Sequence, residues 1–367
     1  MFEYQNIIEY FKLLPILVKL IWVLSSVLFV ILLGLIIYLK ILRVHLNKND
    51  IKQKQLQKKN EELLINYLYA GDDEFEISKD QQVIINEVKN EISDSFYRNN
   101  LISVMSKLVN DISGEMAVSI HTLFFKTGLI NYSLEKLKEK KWEVIASGIS
   151  ELTQFEVKQA APEIQKLIKH PNKEVRNQAQ LYLVNLFQFK GLKFLDKLDY
   201  QLSEWNQIQL LEILQKFDNQ DIIDISPWLN STNISVVQFA LKLSKVYNHL
   251  EAKESLLELL KHKNQDIRVQ TITILCYFMD SECKPYLKAN FENSSECEQI
   301  AFFKLLENVA DESDEKFILK NIHHANFEIK HLALNILKSI SLEQFDNVVF
   351  DNYDVDGAQI IKFINAI

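Results

Sequence analysis

Three stretches of the chain follow one pattern: HPNKEVRNQAQLYLVNLF at 170–187, KNQDIRVQTITILCYF at 263–278 and HANFEIKHLALNILKSI at 324–340. Each contains an Asn that is followed by apolar residues at helical spacing. Asn and Ser are preferred helix N-caps, because the side-chain oxygen accepts a hydrogen bond from a backbone N–H of the first turn. Six such residues stand 30 or 31 positions apart: Asn172, Ser203, Asn233, Asn264, Ser295 and Asn326.

The residues behind each cap predict an amphipathic helix. Seven positions after the caps come Ala179, Leu210, Ala240, Thr271, Phe302 and Ala333. The residues 10 and 11 positions after the caps are also mostly apolar, and these offsets lie on one side of a helix. With only 7 Gly and 5 Pro in 367 residues, the composition favours helices as well. A capped helix that recurs about every 31 residues predicts an all-α fold, an α-solenoid of about seven helix pairs.

The pattern divides the chain into six parts. We expect an interfacial helix or a slanted extension of the next segment at 1–19, a transmembrane helix at 20–39, a basic juxtamembrane helical stalk at 40–70, a helical N-terminal cap at 71–131, the repeats at 132–340 and a C-terminal cap at 341–367. Helices of the N-terminal cap are predicted at 82–97, 101–112 and 115–126. The first helices of the pairs are predicted at 162–169, 193–198, 221–229, 253–262, 281–291 and 315–322, with an earlier copy of the capped helix at 141–155 and a last helix at 358–367.

The stretch LIWVLSSVLFVILLGLIIYL at 20–39 predicts a membrane span. It holds twenty residues without a charge, and a helix of that length is about 30 Å long, which is the thickness of the hydrocarbon core. Trp22 and Tyr38 lie near its ends, where amphipathic aromatic residues favour the headgroup zone. A buried core helix and a cleaved signal peptide fit less well, because the run lacks a polar face and no A-x-A site follows it.

Charge around this stretch predicts the topology. Seven Lys or Arg follow it by residue 59, whereas only Lys12 and Lys19 precede it. The positive-inside rule therefore places the N-terminus outside and the repeats in the cytoplasm. The basic residues of 40–59 are also expected to contact anionic headgroups. Residues 60–367 carry a net charge of about −14, against −8 for the whole chain, which argues against nucleic-acid binding.

The three stretches quoted first resemble the second helices of HEAT repeats. That repeat carries an aliphatic residue and Arg or Lys after the turn, then a small residue three positions on. These are Val175, Arg176 and Ala179 in one copy, Ile267, Arg268 and Thr271 in another, and Ile329, Lys330 and Ala333 in a third. The copies at 203 and 295 depart from it, with Gln207 and Gln299 in the Arg position, and the copy at 233 has Val237. The resemblance covers about residues 132–340.

The segments KKWEVIASGISEL and FLDKLDYQLSEW, with the apolar N-terminal stretch, further resemble an uncharacterised bacterial group of membrane-anchored HEAT-repeat proteins. Genes of that group often lie beside glycosyltransferases of envelope polysaccharide synthesis. The resemblance therefore implies the inner (cytoplasmic) membrane as the location and a membrane glycosyltransferase as a partner.

Several side chains are candidates for functional groups. Arg176 and Arg268 fit structural bonds to helix carbonyls or to the next repeat better than ligand clamps, because they recur with the repeat. The calcium-loop-like run at 352–357 has Phe363 in place of the final Glu, so a turn is expected there. A solvated loop is expected for His323, His324 and His331 rather than a metal site. Trp142, Trp205 and Trp228 are predicted in the core, and the three Cys are predicted as reduced thiols.

The sequence contains no catalytic motif of the common hydrolase, kinase, nucleotide-binding or zinc-protease types. We therefore expect no catalytic residue, cofactor or metal, and a membrane-anchored scaffold that binds proteins. The alternatives are a solenoid enzyme or accessory subunit that acts on a small prosthetic group, and a component of transport or secretion. Residues 9 and 12 positions after the caps face away from the apolar side, and we expect them to bind the partner: Glu212, Gln215, Lys242, Lys245, Lys304, Glu307, Asn335 and Lys338.

Overall fold

A computed structural model of the chain describes residues 15–71, 77–217, 223–350 and 355–366. Every regular element within these ranges is a helix. The chain divides into two compact units, and each is described by itself. One unit contains the described residues up to Glu139 together with Gln154–Val157, and the other contains Lys140–Thr153 and the described residues from Lys158 onward.

The first unit is organised around its first helix. The helices are α1 (Ile16–Tyr69), α2 (Lys79–Glu91), α3 (Ser95–Asp111), α4 (Glu115–Thr127) and α5 (Leu129–Lys136). The last turns of α1 pack on α2, α3 and α4, and Leu64 and Tyr67 are fully buried there. In the core of this unit the Phe124 ring stacks on Phe155 with 4.0 Å between centroids.

Helix α1 contains the predicted span and the predicted stalk without interruption. Among the described residues it is the helix long and apolar enough to cross a membrane. Residues 20–39 are exposed along their whole length, as a helix surrounded by lipid would be. Serine and glycine within the span do not break it, since Ser26 Oγ donates to the Trp22 carbonyl at 2.8 Å.

The second unit holds the repeated helices. They are α6 (Trp142–Gln154), α7 (Ala161–Leu167), α8 (Lys173–Phe187), α9 (Glu204–Leu214), α10 (Ser226–Leu229), α11 (Ile234–Val246), α12 (Lys253–Leu259), α13 (Gln265–Tyr277), α14 (Lys284–Asn290), α15 (Glu296–Val309), α16 (Glu315–Asn321), α17 (Phe327–Ile340), α18 (Leu342–Asp346) and α19 (Val355–Ala366). Helix α8 packs on α9, α11 on α13, α13 on α15 and α15 on α17.

All six predicted caps are confirmed. Each of Asn172, Ser203, Asn233, Asn264, Ser295 and Asn326 accepts a hydrogen bond from a first-turn amide through its side chain. The residues seven positions after the caps are all buried, with at most 1% of the side chain exposed. The repeated helices therefore begin where the sequence predicts, and they turn the predicted side inward.

The first helices of the pairs are shorter than the sequence predicts. Helices α7, α12, α14 and α16 have seven residues each, and α10 has four. Residues 221–222 of the helix predicted at 221–229 lie outside the described ranges. In place of the helix predicted at 193–198, a 3₁₀ segment runs from Gln188 to Lys197. That segment passes so close to α8 that a Cβ on Gly191 would lie 2.2 Å from the Leu183 carbonyl oxygen. Such contacts across the chain decide these short segments, and local periodicity cannot show them.

The prediction for the tryptophans is correct at one site and wrong at two. Trp228 is buried, and its indole nitrogen donates to Asp196 Oδ1 at 2.7 Å. Trp142 and Trp205 are 40% and 63% exposed. Trp205 stands two positions after its cap, which faces solvent in this helix, so its size alone was a poor guide to burial.

We expect Ala240→Asp and Ala333→Asp to destabilise the second unit by about 3 kcal/mol or more. Both alanines are completely buried, so each new carboxylate would be desolvated without a partner. Urea unfolding measures the loss. Ala289→Asp, at an exposed position of α14, is the matched control and should change stability by less than about 0.5 kcal/mol. Equal effects at all three positions would show that the repeat register is wrong.

Candidate partner-binding surface

The eight residues predicted to bind a partner form what we call the outward ridge of the repeated helices. Five of them are exposed in the structure: Glu212, Gln215, Lys245, Lys304 and Glu307. Lys242, Asn335 and Lys338 are half-buried. The geometry places all eight on the capped helices α9, α11, α15 and α17 or at their ends, away from the buried side.

Hydrogen bonds join ridge residues to the neighbouring helices. Lys242 Nζ lies 2.8 Å from Gln207 Oε1 on α9, and Lys304 Nζ lies 2.8 Å from Glu328 Oε1 on α17. Asn335 Nδ2 donates to Glu307 Oε1 at 2.9 Å. Lys338 Nζ donates to the Ile364 carbonyl of α19 at 2.6 Å. These side chains therefore serve the packing of successive helices.

Three ridge residues do not take part in these hydrogen bonds between helices. Within the described ranges, no such hydrogen bond is seen for Glu212, Gln215 or Lys245. The Lys245 ammonium lies 5.6 Å from the centre of the Tyr277 ring on α13, but that ring is itself 55% exposed. These three side chains are therefore the part of the ridge that a partner could reach at least cost to the packing.

The turns before α8 and α13 share one arrangement, which we call the clamp turn. An Arg four positions after the cap reaches back to two carbonyls of the turn. Arg176 Nη1 donates to the His170 and Pro171 carbonyls at 2.9 and 2.8 Å. Arg268 Nη1 donates to the His262 and Lys263 carbonyls at 2.7 and 3.2 Å. The structural role predicted for both arginines is confirmed.

A histidine two positions before the cap completes the clamp turn. The backbone N–H of Asn172 donates to His170 Nδ1 at 3.1 Å, and the N–H of Asn264 donates to His262 Nδ1 at 3.0 Å. Before α17, the N–H of Asn326 donates to His324 Nδ1 at 3.0 Å. In these bonds the imidazole Nδ1 is the acceptor. The sequence HxN with Arg four positions after Asn thus encodes the clamp turn before α8 and α13.

The first unit contains a clamp turn that the sequence reasoning missed. Asp94 caps α3, and Arg98 Nη1 donates to the Ile92 and Ser93 carbonyls at 2.8 and 3.4 Å. The guanidinium also lies 4.1 Å from the centre of the Tyr132 ring. Arg four positions after an acidic cap was a usable signal. The sequence predicts a single helix over 82–97, which would place Asp94 in its interior rather than at a cap. The structure instead has two helices, of which the first ends at Glu91 and the second begins at Ser95.

Arg268 differs from Arg176 in what its other edge contacts. Arg268 Nε and Nη2 lie 2.5 and 3.0 Å from the two carboxylate oxygens of Glu298 on α15. Burial alone would raise the pKa of Glu298, but the hydrogen bonds from Arg268 and Ser295 outweigh it and lower that pKa. Arg176 Nε is buried and finds no hydrogen-bond partner among the described residues, while its guanidinium lies 4.6 Å from the centre of the Tyr200 ring.

A cleft of about 220 Å³ lies beside the Arg268–Glu298 pair. His262, Lys261, Tyr286 and Asn290 contribute to its lining. The Tyr286 hydroxyl donates to the Leu260 carbonyl at 3.5 Å, and the Lys261 ammonium lies 5.8 Å from the centre of that ring. The polar groups of the cleft mostly bind one another, as expected of a joint between repeats.

A buried ionic cluster joins α14 to the segment before α16. Lys284 Nζ lies 2.6 Å from Asp311 Oδ2 and 2.9 Å from Asp314 Oδ2, and Lys288 contacts Asp314 Oδ1. The Asp314 side chain is completely buried. Its burial favours the neutral acid, but hydrogen bonds from the two lysines prevail and lower its pKa. A hydrogen bond from Lys284 also lowers the pKa of Asp311.

The remaining candidates have structural surroundings. His323 lies 5.0 Å from the Phe350 ring and His331 lies 6.5 Å from the Phe327 ring, between centroids. Within the described ranges, no three His, Cys, Asp or Glu are grouped so that they could hold a metal ion. Residues 352–354 of the calcium-loop-like run fall outside those ranges, and Asp356 and Gly357 belong to α19.

The three cysteines are free thiols. Cys283 is buried, and this burial raises its pKa to about 12. Cys276 is half-buried; burial raises its pKa, and Asn308 Nδ2 lies 3.4 Å from its sulfur. Thiols with raised pKa values are poor nucleophiles at neutral pH.

No protein-family model matches the sequence, and no curated protein matches it. Among the solved structures that resemble the chain is human deoxyhypusine hydroxylase in complex with glycerol, at 12% sequence identity and a TM-score of 0.29. The likeness covers 80% of this chain and 99% of that one. At this level of similarity the comparison carries no argument about function.

We expect Arg268→Met to destabilise the second unit more than Arg176→Met. Both substitutions remove the hydrogen bonds to two turn carbonyls, and this loss should lower the free energy of unfolding by about 1–3 kcal/mol. Only Arg268→Met also removes the ion-pair partner of the buried Glu298 carboxylate. The free energy of unfolding of this variant should therefore fall by about 3–5 kcal/mol in all. Urea unfolding compares the two. Adding Glu298→Gln to Arg268→Met should recover part of the loss, whereas equal costs for the two single variants would contradict the role of the ion pair.

We expect stability to fall at acid pH through the Lys284 cluster. A carboxylate whose pKa folding lowers contributes stability above its unfolded pKa, for which 3.8 is the reference value for Asp314, and loses that contribution as the pH falls through the folded value. Hydrogen exchange around α14 and α16, compared at about pH 6 and about pH 3, should show the loss. Lys284→Met should be less stable at about pH 6 and should lose less on acidification.

The control for this acid loss is Lys320→Met. Lys320 pairs with Glu292 at 2.7 Å, but both side chains are about two-thirds exposed, 68% and 70%, so the variant should behave almost as wild type at both pH values. An acid loss in Lys284→Met as large as in wild type would show that the cluster does not cause it.

Proposed function

We propose that the chain is a membrane-anchored scaffold whose repeated helices form a HEAT-like solenoid that binds protein partners. The observation that carries this proposal is the recurrence of one capped helix at 30 or 31 residues, with α8 packed on α9 and with α11, α13, α15 and α17 packed in series. Stacked helix pairs of this kind bury a continuous core and leave extended surfaces for partners. In this proposal the chain has no catalytic activity of its own.

The proposed anchor is residues 20–39 of α1. Their length, composition and full exposure support a single span. With Lys40 and Arg43 directly after it and few basic residues before it, the proposal places the N-terminus outside and the solenoid on the cytoplasmic side of the inner membrane. Confinement to the membrane raises the effective concentration of the solenoid near membrane-bound partners.

The proposed contact surface is the outward ridge, centred on the residues that do not tie helices together by hydrogen bonds. Glu212, Gln215 and Lys245 are exposed, and their side chains are available without breaking the packing of the second unit. The resemblance to membrane-anchored HEAT-repeat proteins suggests a membrane glycosyltransferase as the partner. The mixed charge of the ridge fits a protein surface better than a nucleic acid.

Crosslinking in intact membranes, followed by isolation of the tagged full chain, tests the proposal. We expect one dominant membrane protein to be captured, and a glycosyltransferase if the resemblance holds. The triple variant Glu212→Ala, Gln215→Ala, Lys245→Ala should reduce capture by about tenfold, since loss of about 1.4 kcal/mol of binding has that effect. A chain without residues 1–39 should lose capture because it is no longer confined to the membrane.

The matched control is Glu258→Ala, Gln265→Ala, Lys263→Ala. It removes the same three residue types at exposed positions off the ridge, and it should capture as wild type does. Equal loss in both triple variants would contradict the ridge as the contact surface. Capture that does not require residues 1–39 would contradict the role of the anchor.

A further inference from the structure

Helix α1 does not end at the membrane. It continues for thirty residues beyond Leu39, as far as Tyr69, with no Gly or Pro between Leu35 and the end of the helix. Pairs four residues apart stabilise this part, with 2.9 Å between Lys54 Nζ and Asp50 Oδ2 and 2.7 Å between Gln57 Nε2 and Glu61 Oε1.

The far end of α1 is fixed in the first unit. Asn60 is completely buried, and its Nδ2 donates to Asn100 Oδ1 on α3 at 2.9 Å. Lys59 Nζ lies 3.2 Å from Glu91 Oε1 on α2. One turn later Leu64 is fully buried, and Gln81 Nε2 donates to the Tyr67 carbonyl at 3.1 Å. A short exposed helix is marginal alone, but this one is held at both ends if residues 20–39 lie in lipid.

The helical rise converts sequence position into height above the membrane. From Leu39 to Asn60 the helix rises about 30 Å, and an average tilt of about 20° shortens this by only a few percent. The headgroup zone is about 5–8 Å deep. Lys40 and Arg43 therefore lie within it, whereas Lys52 to Lys59 stand about 20–30 Å above the hydrocarbon. That distance exceeds the headgroup zone by more than the Debye length of about 8 Å.

The exposed part of α1 is also unsuited to lying flat on the bilayer. An interfacial helix needs an apolar face along its length. Between Val44 and Leu56 the described apolar side chains include Ile51, and Leu56 is half-buried towards the folded unit. Lysine, glutamine and asparagine occupy the other sides of the helix. A polar helix of this kind is better solvated than embedded.

We propose that residues 44–52 are a rigid spacer that holds the folded helices α2–α5 about 20 Å from the bilayer, since α1 first meets them where Asn100 Nδ2 donates to the Gln53 carbonyl at 3.5 Å. This rests on the proposed membrane anchor, and it narrows the proposed lipid contact of residues 40–59 to Lys40, Arg43 and Lys48, the last about 14 Å above the hydrocarbon and so within about one Debye length of the headgroup zone. A partner that contacts helices α2–α5 is therefore a membrane protein whose cytoplasmic part extends at least about 20 Å from the bilayer, rather than the lipid surface itself.

The test measures the height of the full chain in vesicles. A fluorescent non-natural residue replaces Lys89, which is exposed on α2, and energy transfer to headgroup-labelled lipid reports its distance. Seven helix-forming residues inserted after Asn49, before the first contact of α1 with α3, should raise helices α2–α5 by about 10 Å and keep their rotation within about 20°. Deletion of seven residues should lower them by as much. Seven Gly and Ser at the same place are the control, and they should broaden the distances.

The outcomes separate the two proposals. Heights that follow the insertion and deletion, and that are the same in neutral and anionic vesicles, support the spacer. A chain that inserts into vesicles but keeps strong transfer in all variants overturns the spacer and leaves the anchor standing. Transfer that strengthens with anionic lipid shows that the lysines bind the surface, and also overturns the spacer. A chain that washes off at high pH overturns the anchor itself.

Discussion

The hydrogen bond from a first-turn amide to the cap side chain is the interaction on which the second unit depends. It fixes where each repeated helix begins, and so fixes which residues fall seven, ten and eleven positions later on the buried side. A shift of one residue would turn each helix by about 100° and bring polar side chains such as Lys304 or Lys338 towards the core. The clamp turn strengthens this constraint, because His170 and Arg176 bind the turn from both ends of the cap.

Local signals in the sequence predicted the parts of the fold that local forces decide. The six caps, the buried positions behind them and the uninterrupted helix α1 follow from residues within a few positions of one another. The short first helices of the pairs do not. A helix of seven residues is not stable alone, so its bounds depend on what it packs against.

The candidate surface was predictable as a face but not in its details. Helical periodicity placed the ridge residues away from the core, and the structure agrees. Which of them are free to meet a partner depends on residues about thirty positions away: Gln207 for Lys242, Glu328 for Lys304 and Glu307 for Asn335. Sequence spacing gives no measure of these pairs, because each is set by how one repeat is rotated on the next. The ridge residues that are best placed to contact a partner are thus Glu212, Gln215 and Lys245.

Two joints between repeats share one backbone arrangement but are held by different interactions, an ion pair in one and hydrogen bonds between neutral side chains in the other. Arg176 and Arg268 lie 92 residues apart, as do the caps Ser203 and Ser295. Three positions after the second cap, Glu298 completes an ion pair with Arg268. Three positions after the first, Asn206 Nδ2 donates to Asn177 Oδ1 at 2.7 Å instead.

The neutral joint continues as Gln180 Nε2 donates to the Tyr200 hydroxyl at 2.6 Å, and that hydroxyl donates to the Ile168 carbonyl at 3.0 Å. This joint buries no carboxylate, which would be costly to desolvate, but no described residue supplies an acceptor for Arg176 Nε. The ionic joint satisfies its arginine and gains charge-assisted bonds, but it depends on both partners remaining charged. The neutral joint should therefore be insensitive to pH where the ionic joint is not, so that acid would loosen α13 from α15 before it loosened α8 from α9.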